Sequence, residues 1–218
     1  ARPAKFSKEH LRTLEIIYEH FARLMSTNLP AYLRKSVTVD VVNSEVVIYS
    51  EFSNALSNPV LLGVISMSPL SGNVIMEMAS NLGFAIVDRL LGGVGQALDK
   101  ERDFSEIELS ILVNLFHEPW ENVVSISPRL ERIETNSQFA QIISPSETIA
   151  IVTLNIKIGD VEGLMNICLP FDTLEPVIDK LNTKYWFSTM KEKDEHSYED
   201  TIETAISRAM IPIKAVLG

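Results

Sequence analysis

The sequence predicts an α/β fold in which one structural unit occurs twice. Phe6-Ser7 opens an apolar-periodic helix, and Phe104-Ser105 opens another 98 residues later. Each helix leads through β-rich runs to a Gly-started strand and a closing helix. In the first half these are Gly72-Asn-Val-Ile-Met-Glu-Met and Ile86-Val-Asp-Arg-Leu; in the second, Gly163-Leu-Met-Asn-Ile-Cys-Leu and Val177-Ile-Asp-Lys-Leu, both at an offset of 91 residues. No reactive cluster is recognisable in either copy, which favours a module that presents surfaces over one that performs chemistry.

Taken in order, Ser7 is the expected N-cap of a helix over about Lys8–Thr27, with Leu11, Leu14, Tyr18, Phe21 and Met25 on one stripe and Asn28-Leu-Pro30 as its end. Val37–Val42 and Glu45–Phe52 read as a strand pair turning at Asn43-Ser44, followed by strands at Val60–Met67 and Asn73–Met78. Ala79, Leu82, Gly83, Ile86, Val87, Leu90 and Leu91 recur at helical spacing and stop at Gly92-Gly93. The polar stretch 96–103 links the halves, about 1–95 and 104–187. Ser105-Glu-Ile-Glu108 has capping-box spacing and starts a second long helix that Pro119 is expected to kink. Strands follow at about Arg129–Glu134, Ile149–Ile158 and Leu164–Leu169, and Asp172-Thr-Leu-Glu175 reads as the cap of a helix ending near Leu181. Lys191–His196 reads as a solvated linker or helix start, and Ile211–Leu217 as the first strand of a further unit.

The chain has 46% hydrophobic and 22% charged residues over 218 positions, enough for a substantial core. A net charge of -10 argues against nucleic-acid binding, which needs clustered Lys and Arg. The single cysteine, Cys168, lies in an apolar run and reads as an inert thiol in a reducing compartment. The first residues, Ala1-Arg-Pro, carry no initiator Met, as expected of a processed or excised chain. No apolar stretch is long enough to span a membrane. The histidines, His10, His20, His117 and His196, have no metal-ligand spacing, and His117-Glu118 is followed by Pro119-Trp120-Glu121 rather than a second His. No Gly-x-Ser-x-Gly elbow exists. Catalytic, metal and cofactor sites are therefore expected to be absent.

Gly92-Gly93-Val94-Gly95 is the sharpest local feature. It follows a helix, not a strand, and no Gly-Lys-Ser/Thr comes after it, so it is not a phosphate loop. One glycine past a helix end is routine capping. Three in four residues exceed that need and leave a second use open, a side-chain-poor loop that another chain approaches closely.

Arg132-Ile-Glu-Thr-Asn-Ser-Gln-Phe-Ala-Gln-Ile-Ile143 with Ser144-Pro-Ser-Glu147, Leu154-Asn-Ile-Lys-Ile-Gly159, Glu162-Gly-Leu-Met-Asn-Ile167 and Leu174-Glu-Pro176 closely resemble the middle domain of the bacterial flagellar motor switch protein FliM. Lys5-Phe-Ser-Lys-Glu-His-Leu-Arg-Thr-Leu14 with His20-Phe-Ala-Arg23 resembles the start of that domain. The resemblance implies a pseudo-two-fold CheC-like α/β unit over 1–187, with long helices on a largely antiparallel sheet. It implies that 188–218 is a linker and the start of a truncated C-terminal FliN-like domain, and that a CheY-binding peptide is missing before Ala1.

Functionally, the resemblance implies a component of the rotor ring on the cytoplasmic side of the inner membrane, at the flagellar basal body. The implied partners are FliG, neighbouring copies, phosphorylated CheY and, through the absent domain, FliN. Neighbouring copies would meet through flanks near Lys8–Met25 and Glu106–Asn122. The family's FliG-contacting Gly-Gly-x-Gly motif falls on Gly92, Gly93, Val94 and Gly95, which tips the reading of those glycines toward docking. The alternative is a CheC-like phosphatase of a phospho-aspartyl response regulator. Its helical Glu-x-x-Asn pairs correspond here to Ile16 with Glu19 and Asn114 with His117, and neither is Glu-x-x-Asn.

Overall fold

The computed structural model describes residues 5–96, 102–117, 127–137 and 142–187, with the backbone alone at 113–117 and 127. The elements are α1 (Lys8–Leu33), β1 (Val37–Ile48), α2 (Tyr49–Ala55), β2 (Leu61–Ser68), β3 (Asn73–Met78), α3 (Ser80–Leu90), α4 (Glu106–His117), β4 (Ser127–Glu134), β5 (Thr148–Ile158), β6 (Val161–Pro170) and α5 (Phe171–Leu174), which runs into a 3-10 turn at Glu175–Lys180.

The six strands form one antiparallel sheet in the order β1-β5-β6-β3-β2-β4. Exchanging β1 with β4, β2 with β5 and β3 with β6 returns the same order reversed. The sheet is therefore pseudo-two-fold, as the duplicated sequence requires. The register places the axis: Met76 stands opposite Ile167, one repeat offset of 91 residues further on. The strands also interleave, since β1 pairs only with a second-half strand, β5, and β4 only with a first-half strand, β2. Neither half has a complete sheet of its own.

Helices α1 and α3 cover one face of the sheet. Leu14, Tyr18, Phe21, Ala22, Met25, Leu29 and Leu33 of α1 join Leu82, Ala85 and Ile86 of α3 over Val152, Leu154, Ile156, Met76 and Ile167. On the opposite face Tyr49 and Phe52 of α2 cover Leu62, Ile75, Ile149, Ile151 and Cys168. Beyond that patch a polar row crosses three strands. The Thr153 hydroxyl donates to Asn166 Oδ1 at 2.7 Å, and Asn166 Nδ2 donates to Glu77 Oε2 at 2.6 Å. Burial raises the Glu77 carboxyl above its ordinary range, against the lowering effect of the Asn166 bond.

The repeat extends to how each half opens. Phe6, just before the Ser7 cap, packs edge-on against Phe171 of the other half at 5.2 Å between centroids, with the Lys5 ammonium over the same ring. Phe104, just before Ser105, stacks on Phe84 of the other half at 3.9 Å, with the Arg102 guanidinium over that ring. Each aromatic pair contributes about 0.5–1.5 kcal/mol beyond its buried area. Two reciprocal clasps thus tie each helix start to the opposite half.

Three local expectations are corrected. The first helix does not end at Pro30 but continues to Leu33. A proline inside a helix costs about 3 kcal/mol, whereas burying Leu29 and Leu33 contributes about 1.5–3 kcal/mol each, so packing wins. Its Ser7 cap is as expected, with the His10 amide donating to Ser7 Oγ at 3.1 Å. Second, Val37–Phe52 is not a hairpin. A single strand runs to Ile48 along β5, with Val42 bulged out between Val41 and Asn43, and Tyr49–Ala55 is helical. Asn-Ser lacks the glycine of a tight hairpin turn, and the long partner strand β5 holds the chain straight. Third, Asp172 does not cap α5, which has no side-chain cap. Its carboxylate takes Lys5 Nζ at 3.2 Å, while its own amide donates to Glu147 Oε1 at 3.1 Å. The Ser105–Glu108 box forms, with Ser105 N donating to Glu108 Oε2 at 2.8 Å and Glu108 N to Ser105 Oγ at 3.3 Å. The expectations for Pro119, Lys191–His196 and Ile211–Leu217 lie outside the described residues.

Candidate functional site

The Gly92–Gly95 loop closes α3 at one corner of the helical layer. Leu82, Ala85 and Ile86 pin α3 to the sheet, so the helix end and the loop are fixed in place. The Gly92 amide donates to the Arg89 carbonyl at 3.1 Å and the Gly93 amide to the Asp88 carbonyl at 2.7 Å, satisfying the last helical turn. Gly92 takes φ +93°, the left-handed conformation that ends helices at low cost only for glycine.

Gly95 is also left-handed, at φ +77°, and at Gly93 and Gly95 alike a further reason applies. A Cβ on Gly93 would lie 2.1 Å from Asp88 Oδ1, and a Cβ on Gly95 would lie 2.5 Å from Arg89 Cδ. Those two side chains occupy the space because they hold the loop. Asp88 Oδ2 accepts the Gly95 amide at 2.7 Å. The Arg89 guanidinium donates to three carbonyls: Gly93 at 2.5 Å, Leu33 at 2.7 Å and Arg34 at 2.8 Å. One side chain therefore staples the loop to the C-terminal end of α1, where Arg34 makes the left-handed cap at φ 49°. Lys35 adds a long contact, its ammonium 3.5 Å from the Val94 carbonyl.

The result is a rigid turn with apolar side chains facing outward. Leu91 is 67% exposed and Val94 is 62% exposed, whereas Gly95 is buried. The outward chemistry of the motif is thus carried by Leu91 and Val94, with Gly92 as bare backbone between them. At Gly93 and Gly95 the missing side chain makes room for the protein's own Asp88 and Arg89. Sequence reasoning named the glycines and missed this pair. The available signal was that Asp88-Arg89 ends an amphipathic helix directly before the glycines. The carbonyls that Arg89 binds on α1, 55 and 56 residues away in sequence, give no local signal.

His10 and Cys168 have structural surroundings. The Ser7 amide donates to His10 Nδ1 at 3.1 Å, so this histidine completes the cap. Cys168 is fully buried and its thiol is raised, chiefly by burial and further by the nearby Glu77 charge. Among the described residues no group of three or more His, Cys, Asp or Glu side chains is placed to hold a metal ion. No described helix is long and apolar enough to cross a membrane. In α1, Ile16 is half-buried and Glu19 exposed; Asn114 and His117 lie on the backbone-only part of α4.

Residues 7–186 match the family model of the flagellar motor switch protein FliM. The chain is 42% identical, over its whole length, to the flagellar motor switch protein FliM of Treponema pallidum, and it spans 65% of that relative's length. It is 34% identical, with a TM-score of 0.73, to a chain in the crystal structure of a FliG-FliM complex from H. pylori, covering 80% of this chain and 100% of that one. Against the crystal structure of the FliM middle domain from H. pylori the identity is 32% and the TM-score 0.69, over 80% of this chain and 99% of that one. A family model matched over residues 7–186 and 42% identity over the whole chain show that it belongs to the flagellar motor switch protein FliM family.

Proposed function

We propose that this chain is the middle-domain part of a flagellar rotor switch protein, and that the Leu91–Gly95 corner is where it docks FliG. The observation that carries the reading is an apolar, strongly exposed tip (Leu91 and Val94) on a loop made rigid by Asp88 and Arg89. Exposed large apolar groups on a well-ordered turn favour a partner surface. Rigidity supports affinity because little ordering is left to complete on binding. The H. pylori relative of similar fold has been crystallised as a FliG-FliM complex, which supports FliG as the partner.

In this reading the domain stands beside copies of itself on the cytoplasmic side of the inner membrane, and phosphorylated CheY shifts rotation by binding one orientation of the domain more tightly than the other. FliN would be engaged through sequence beyond the described residues, where a FliN-like domain would begin. The chain acts as a scaffold and not as an enzyme. A CheC-like phosphatase would need Glu-x-x-Asn, and α1 offers Ile16 and Glu19 at those places; accelerated loss of phosphate from phosphorylated CheY in its presence would reverse that assignment. The docking reading is tested by titrating FliG against the wild-type chain and Val94→Asp. Its tip is solvent-facing, so the fold is retained and binding is lost; an unchanged affinity would remove the corner from the interface.

A further inference from the structure

We infer that the corner selects its partner by charge as well as by shape, and that the surface it takes is an apolar patch bordered by carboxylates. This inference rests on the docking reading above and adds the chemistry of the partner.

The chain as a whole carries 29 Asp and Glu against 19 Lys and Arg, so its general field repels an acidic surface. The corner departs from that balance. Arg34 and Lys35 leave the end of α1 directly beside the loop, since Arg34's carbonyl and Gly93's carbonyl are bound by the same Arg89 guanidinium. Arg34 is exposed, and Lys35 is half-buried with its ammonium against the Val94 carbonyl. The Lys35 stem lies over Gly159, where a Cβ would meet Lys35 Cε at 2.3 Å. Its ammonium is therefore held at the rim of the tip.

The acidic groups nearby offset this charge only in part. Asp88 is turned inward on the Gly95 amide, leaving Asp160, next in sequence to the Gly159 on which the Lys35 stem packs, as an exposed carboxylate on the turn between β5 and β6. Arg89, a third cation, keeps its charge but is tied behind the loop by its bonds to backbone carbonyls. Lys35 thus sets a positive charge against Val94 itself, and the exposed Arg34 adds a second at the end of α1 beside the loop; at physiological salt such charges act over roughly 8 Å. Charges at the rim of an apolar contact steer encounter and reject like-charged surfaces. An acidic rim on the partner is the complement that fits.

The test uses the whole chain and FliG, with Arg34→Gln/Lys35→Gln, Arg34→Glu/Lys35→Glu and Val94→Asp, at ~50 and ~500 mM salt, where the Debye length falls from about 14 to about 4 Å. The neutral pair is expected to weaken binding about 5-fold and the reversed pair about 30-fold at low salt, as for two exposed ion pairs. Salt should weaken the wild type and leave the neutral pair little changed. If Val94→Asp abolishes binding while both pairs keep wild-type affinity and salt dependence, the corner docks FliG without charge selection and this inference is overturned. If none of the three variants matters, the docking reading falls and takes the inference with it. If the reversed pair keeps FliG affinity but loses binding to phosphatidylglycerol vesicles, the acidic surface is a lipid one and the inference is equally overturned. Should either pair fail to fold, a wild-type affinity that does not change with salt has the same force.

Discussion

Replacing Gly93 by alanine isolates the feature on which the corner's shape depends. The new Cβ would lie 2.1 Å from Asp88 Oδ1 and 2.4 Å from Asp88 Cγ. A side chain as short as Asp88 can clear it only by rotating away. That movement removes the 2.7 Å bond from the Gly95 amide to Asp88 Oδ2. A hydrogen bond to a charged acceptor contributes about 1.5–3 kcal/mol. Alanine in place of glycine returns about 0.4–1 kcal/mol by restricting the unfolded chain, leaving a net loss of about 1–2 kcal/mol. For a chain of this size each kcal/mol lowers Tm by about 2–4 °C, so Gly93→Ala should melt about 2–8 °C below wild type. Asp88→Ala loses the same bond and also opens the space. The double variant Asp88→Ala/Gly93→Ala should therefore be no less stable than Asp88→Ala alone, with a coupling of about 1 kcal/mol in a thermal-unfolding cycle. Strict additivity, or a Gly93→Ala protein as stable as wild type, would refute the claim that Asp88 is what forbids a side chain at 93.

Three further outcomes follow from the fold. Folding raises the Glu77 carboxyl, so this group favours the folded state only at low pH and its contribution is lost as pH rises through the raised value. Glu77→Gln, which keeps an acceptor for Asn166, should therefore unfold at higher urea than wild type at pH 7, with the gap closing near pH 3.5; the opposite trend would contradict the assignment. Glu108 is held down to about 2, chiefly by the Arg102 guanidinium at 2.6 and 2.8 Å and further by Ser105. Its contribution is present above its ordinary value of 4.5 and is lost as pH falls from there toward about 2. Arg102→Gln should flatten that acid limb in urea melts, its cost being largest and constant above about pH 5 and shrinking as pH falls through 3–5. Residues 1–96 expressed alone should lack cooperative unfolding, because β1 would lose β5 and β3 would lose β6; a folded, monomeric half would refute the interleaved sheet.

Much of the architecture was legible because it is written twice. The offset of 91 residues between the closing segments implies a two-fold pairing of their strands, and Met76 facing Ile167 is its geometric counterpart. Caps were legible at Ser7 and Ser105, where donor and acceptor lie three residues apart. What was not legible depends on partners distant in sequence. The straight course of β1 past Asn43 is imposed by β5, more than 100 residues later. The helix through Pro30 is held by a core that the local proline signal knows nothing of. Asp172 looked like a cap because of its spacing, but Lys5, 167 residues earlier, claims its carboxylate. At the candidate site the glycines stand out in sequence, while the inward turn of Asp88 and Arg89, which fills the space beside Gly93 and Gly95, depends on contacts in three dimensions.

The central claim is that the exposed tip formed by Leu91 and Val94 is the surface that meets FliG. A calorimetric titration of FliG into wild-type chain and into Val94→Asp, with matched melting temperatures, addresses it most directly. The account predicts a saturable wild-type isotherm and an affinity at least about 10-fold weaker for the variant, the scale of a lost interface anchor with a charge set against an apolar patch. Superimposable isotherms from two equally folded proteins would contradict it.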